Sequence, residues 1–82
     1  MSEAILAKLN TFITGEILKQ PGRQLAAGEK LISSGLIDSF NLVDLSIFVE
    51  NTFGVQLDDT ELNAGAFDSL AELAALILQR QA

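Results

Sequence analysis

Apolar side chains recur at spacings of three and four in three separate stretches of this chain, and nowhere do they sustain an alternation at a spacing of two. That pattern restricts the fold more than any other property of the sequence, because a period near 3.6 buries one face of a helix and a period of two buries one face of a strand. The first stretch, Ser2 to Lys19, places Ile5, Leu9, Phe12, Ile13 and Ile17 on one face. Gly15 weakens its interior by roughly 1 kcal/mol relative to Ala, and Pro21 with Gly22 ends it. The second, Phe40 to Phe53, opens after Asp38, a residue suited to cap a helix, and stops at Gly54, which suits a left-handed C-terminal position. Asp58, with Glu61 three residues on, has the form of a capping box opening a short helix through Asn63, before Gly65 interrupts. The last stretch carries Leu70, Leu73, Ala74, Ile77 and Leu78 as a core-facing stripe. The expectation is an all-α four-helix bundle, three long helices plus one short third helix, in a single domain spanning residues 1–82.

Between the first two helices, from Gln20 to Ile37, no period is sustained. Leu25, Leu31, Ile32 and Leu36 stand as single anchors among Gly22, Gly28 and Gly35. An ordered loop is expected. Loops beyond about 12 to 15 residues are uncommon in compact domains unless they serve a function, so the length points to the segment that follows.

Composition narrows the chemistry. Eleven Asp plus Glu against five Lys plus Arg leave a net charge of −6, which disfavours nucleic acid and membrane insertion and favours partners with basic docking patches. With no Cys and no His, the usual thiol nucleophile, zinc site and general base are all missing, so neither catalytic nor metal-ligating residues are assigned and an enzyme is not expected. A core limited to 82 residues also leaves little room for a deep substrate pocket. No stretch approaches the length of a membrane span and the N-terminus has no signal pattern, so the expectation is a cytoplasmic protein.

The second helix has two apolar faces. Steps of about 100° place Leu42, Leu45, Val49 and Phe53 in one sector about 80° wide, the expected core face. Nearly opposite, Phe40, Val43 and Ile47 form a stripe about 60° wide, flanked by Asp44, Glu50 and Asn51. Either both stripes are buried in a central helix, or the second is a docking face on which basic partners seal after electrostatic approach.

Asp-Ser occurs twice, at Asp38-Ser39 and Asp68-Ser69, each before a helix. Ser69 with Glu72 makes a capping box, which commits its hydroxyl. Leu42 stands at the equivalent place after Ser39, so no such box exists there. Asp38 is the better cap, and the Ser39 hydroxyl is left free on the first turn, beside unpaired amides and the positive end of the helix dipole, where a phosphodiester is favoured.

The run Gly35-Leu36-Ile37-Asp38-Ser39-Phe40, followed by a helix ending in Phe53-Gly54-Val55, resembles the phosphopantetheine attachment region of acyl and peptidyl carrier proteins. The order of elements along nearly the whole chain is similar too. The resemblance implies a freestanding, monomeric carrier whose Ser39 takes a covalent 4'-phosphopantetheine from coenzyme A, by way of a magnesium-dependent phosphopantetheinyl transferase. Asp38 would position that serine, and the arm's thiol would hold acyl or aminoacyl groups as thioesters. Its partners would be the transferase, an acyl- or aminoacyl-loading enzyme, and downstream synthase, transferase or tailoring enzymes, docking on Phe40, Val43, Asp44, Ile47 and Glu50. Fatty-acid carriers usually read Leu-Gly-x-Asp-Ser, whereas Gly35-Leu36-Ile37-Asp38-Ser39 stands here, a variant similar to carriers of aminoacyl or secondary-metabolite pathways. Asn51 and Thr52 stand where fatty-acid carriers often continue with acids, so partners would lean more on apolar contact. The alternatives are a small acidic inhibitor or immunity-type helical protein, and an unmodified structural subunit.

Overall fold

The computed structural model of the chain describes residues 2–81, and among them only helices, turns and irregular connections occur. Helix α1 spans Ser2–Phe12, α2 spans Ser39–Phe53 and α3 spans Leu70–Gln81. Each contributes its periodic stripe to one core: Ile5 and Leu9 from α1, Leu42, Leu45 and Val49 from α2, and Leu70, Leu73, Ala74 and Ile77 from α3. Leu78 departs from the expected stripe and is exposed, because one further step of about 100° past Ile77 carries it off the buried sector. Phe53 lies at the margin of the α2 stripe, half-buried, edge-on to Phe48 and beneath the Lys8 ammonium.

The amphipathic pattern of the first helix continues past Phe12, but the winding changes. Ile13–Ile17 forms a π-helix, after which the Leu18 amide donates to the Ile13 carbonyl at 2.8 Å. Thr14 supplies a cause: its hydroxyl donates to the Asn10 carbonyl at 2.7 Å and so competes for the acceptor that its own amide would use in an α ladder. Ile13 stays fully buried and Ile17 half-buried through the wider turn, so the core stripe survives it.

Where a short third helix is expected, a single 3-10 turn forms at Asp59–Glu61. The capping box is present: the Asp58 amide donates to Glu61 Oε1 at 3.0 Å, and the Asp58 carboxylate accepts at the start of the turn. The helix does not run on to Asn63 because that side chain bends the chain back on itself. Its Nδ2 donates to the Thr60 carbonyl (2.7 Å) and its Oδ1 accepts from the Ala66 amide (3.1 Å), a local alternative to the helical ladder. Arg80 near the end of α3 pairs with Glu61 and holds the turn against the bundle.

The long connection between the first and second helices is ordered, as expected, and is fastened to both neighbours. Leu25, Leu31 and Ile37 are buried anchors, with Ile32 and Leu36 half-buried. Asn10 of α1 receives the Leu25 amide at 2.9 Å and donates to the Arg23 carbonyl at 3.3 Å. At the other end, the Leu31 amide donates to the Asp68 carbonyl at 2.7 Å, and the Ala71 amide of α3 donates to Ala27 at 3.0 Å. Gly35, at φ +85, allows the reversal in which its own amide returns to Ile32 and the Ile37 amide returns to Leu31.

Candidate functional site

The loop delivers a fixed starting point for α2. Ile37 is 1 % exposed and pins the chain in the core, and the next residue, Asp38, is fully extended at φ −98 and ψ −179, the backbone of a helix cap. Its carboxylate accepts from the Asn41 amide at 2.9 Å, and its carbonyl accepts from the Leu42 amide at 3.0 Å, the first bond of the ladder. Ser39 is therefore the first helical residue. It is exposed, and its hydroxyl makes no hydrogen bond with the described residues. The amides of Ser39 and Phe40, on the first turn, have no acceptor within the helix.

The two faces of α2 separate as sharply as their chemistry allows. Leu42, Leu45 and Val49 are at most 4 % exposed, whereas Phe40 is 82 % exposed, Val43 51 % and Ile47 52 %, so the second stripe is not a second core face. Asp44 and Glu50 are exposed along the same helix. Ser39, Phe40, Val43, Asp44 and Ile47 thus share the open side of the first half of α2, with Glu50 a turn further on. An oxygen held there can take an anionic substituent beside unclaimed amides and the positive helix end, and the apolar strip beside it lies open.

The other Asp-Ser pair is built differently. Ser69 is 5 % exposed and its hydroxyl accepts from the Glu72 amide at 3.2 Å. Glu72 returns a bond one residue earlier than a standard box would, its Oε1 accepting from the Asp68 amide at 2.7 Å. The Asp68 carboxylate reaches across to the loop, accepting from the Ile32 and Ser33 amides and from the Ser33 hydroxyl. Those bonds, the Ser33 hydroxyl first and then the amides, draw its pKa down from 3.8 to about 2. This tether has no local sequence signal, since its partners lie on a different element.

A second feature beyond reach of the sequence is an aromatic pair: the Phe12 and Phe48 rings stack at 4.2 Å with 13° between their planes. They line an apolar groove of about 420 Å³ between α1 and α2, and a polar concavity of about 600 Å³ lies at Asp58, Glu61 and Arg80. Neither is lined by Ser39.

Comparison with known proteins gives one assignment. The sequence model of the family described as the phosphopantetheine attachment site matches residues 12–77, from the end of α1 well into α3. No curated protein matches the chain.

Proposed function

The chain belongs to the phosphopantetheine attachment family, and from that premise we propose that Ser39 is its attachment residue and that residues 1–82 form one carrier domain. Members of the family hold 4'-phosphopantetheine covalently, and the group supplies a terminal thiol on which cargo rides as a thioester. The chain's own part is to offer an oxygen, fix its place and present a surface. One observation supports Ser39 above all others: on the first turn of α2 it is exposed and its hydroxyl has no partner among the described residues, while the Ser69 hydroxyl is buried and engaged as a cap.

In attachment, the Ser39 oxygen bonds to the β-phosphorus of coenzyme A, the pyrophosphate bond breaks, and adenosine bisphosphate leaves. The hydroxyl proton passes to a base that the transferase supplies, which agrees with the absence of His from this chain. Asp38 caps α2 and so holds Ser39 at N1, with the unclaimed amides of that turn beside the new phosphodiester. Carriers of this family work with a phosphopantetheinyl transferase and with the enzymes of their pathway. The strip of Phe40, Val43 and Ile47, edged by Asp44 and Glu50, is the proposed docking face for them, read by apolar contact more than by charge.

The cargo is an acyl or aminoacyl group of a secondary-metabolite or aminoacyl pathway. Support for this comes from Gly35-Leu36 standing where fatty-acid carriers have Leu-Gly, and from Asn51 and Thr52 in place of acids. No helix among the described residues is long and apolar enough to cross a membrane, and the proposed setting is the cytoplasm, with the carrier acting as a monomer.

The test is to incubate the purified protein with magnesium, coenzyme A and a broad-specificity transferase and to weigh it intact. Wild type and Ser69→Ala gain one phosphopantetheine and Ser39→Ala gains none. Loading of Ser39→Ala together with loss in Ser69→Ala overturns the assignment.

A further inference from the structure

The Asp68 carboxylate is turned away from the helix it precedes. Oδ1 accepts from the Ile32 amide at 2.7 Å and the Ser33 amide at 2.9 Å, and Oδ2 accepts from the Ser33 hydroxyl at 2.5 Å. With the Leu31 amide on the Asp68 carbonyl, four hydrogen bonds bind residues 31–33 to the start of α3. From this clamp to Ser39 the path is short and closed upon itself, because the Gly35 amide returns to Ile32, the Ile37 amide returns to Leu31, Ile37 is buried and Asp38 caps α2. The other loop fastenings, from Asn10 and Ala71, grip residues 23–27, on the far side of the clamp.

The body of α2 is fixed by Leu42, Leu45 and Val49 in the core, but its first three residues, Ser39 to Asn41, bury no side chain. Leu42 anchors that turn from one end, and the segment leading into it, through Ile37 and Asp38, places the other. We propose that Asp68 is a positioning residue for modification of Ser39: by clamping Ile32 and Ser33 it fixes the pose in which the first turn of α2 offers its hydroxyl to the transferase. This rests on Ser39 being the attachment residue. A transferase that grips the α2 strip and must meet one oxygen in line is sensitive to displacements of about 1 Å at that oxygen. The bonds from Ser33 and Ile32 also keep the carboxyl ionised, so the clamp stays closed at neutral pH.

The experiment compares the wild-type chain with Asp68→Ala, Asp68→Asn and Ser33→Ala, using the carrier as varied substrate of the transferase, well below the lowest melting temperature of the set. Asp68→Ala lowers kcat/KM about tenfold or more, chiefly through kcat, because the strip that binds is intact and the aim of the hydroxyl is lost. Asp68→Asn recovers most of the loss, since its carbonyl oxygen still accepts from both loop amides, and Ser33→Ala falls between. Amide exchange in Asp68→Ala quickens at Ile32, Ser33 and Asn41 and stays slow at Val49 and Leu73. Wild-type kcat/KM in folded Asp68→Ala overturns the proposal, and so does equal impairment of Asp68→Ala and Asp68→Asn. Should Asp68→Ala not fold, Asp68→Ser, whose short hydroxyl cannot span to the loop, takes its place with the same outcomes. If Ser39 were not the attachment residue, Ser39→Ala would still load, a result read independently of every Asp68 variant.

Discussion

Asp38-Ser39 and Asp68-Ser69 are the same two residues at the starts of two helices, yet they stand one residue out of register with each other. At α2 the aspartate is the cap and the serine is already helical, so the carboxylate is spent on the Asn41 amide and the hydroxyl is left open. At α3 the serine is the cap and the aspartate lies one place before it, so the hydroxyl is spent on the Glu72 amide and the carboxylate is left to reach the loop. Glu72 stabilises the second register by accepting from the Asp68 amide, and Leu42, buried at the equivalent place in α2, offers no such bond. One side chain three residues downstream decides which half of an identical pair is free.

Loading breaks the comparison most visibly if it is mistaken: Ser39→Ala abolishes the mass gain and Ser69→Ala keeps it. Next in size is the contrast between the two faces that follow the first pair. Leu45→Ala costs about 2–5 kcal/mol in chemical denaturation, whereas Val43→Asp and Ile47→Asp leave the melting temperature nearly unchanged and impair loading; equal loss of both would make these side chains part of the core. A smaller effect separates the two serines in stability, since Ser69→Ala removes a cap worth about 1 kcal/mol and Ser39→Ala, at an exposed first-turn position, leaves stability close to wild type. The smallest concerns acid. The folded pKa of Asp68, about 2, lies below its ordinary 3.8, so the stability it contributes is fully present above pH 3.8 and is lost as pH falls toward 2. Asp68→Asn flattens the stability profile over that interval, and a titration monitored by circular dichroism reads the difference.

The sequence shows what depends on neighbours along the chain. The stripes of Leu9, Leu45 and Leu73 follow from period, the Asp38 cap and the Asp58–Glu61 box from spacing, and the open Ser39 hydroxyl from the absence of an acid at Leu42. What it hides depends on which elements meet. The Asp68 tether joins positions far apart in sequence, and the Phe12–Phe48 stack exists only once α1 and α2 are packed. The change of winding at Ile13 and the shortening of the third helix both turn on a polar side chain, Thr14 or Asn63, competing with the backbone for one carbonyl or amide. Such contests are decided by differences too small for a periodic pattern to register.

The bare strip of Phe40, Val43 and Ile47 also governs how the molecule behaves in concentrated solution. Mutual repulsion from a net charge of −6 opposes contact between those patches near neutrality. Added salt screens that repulsion while the oily surface persists. Light scattering should then rise with concentration, and Ile47→Asp should postpone that onset.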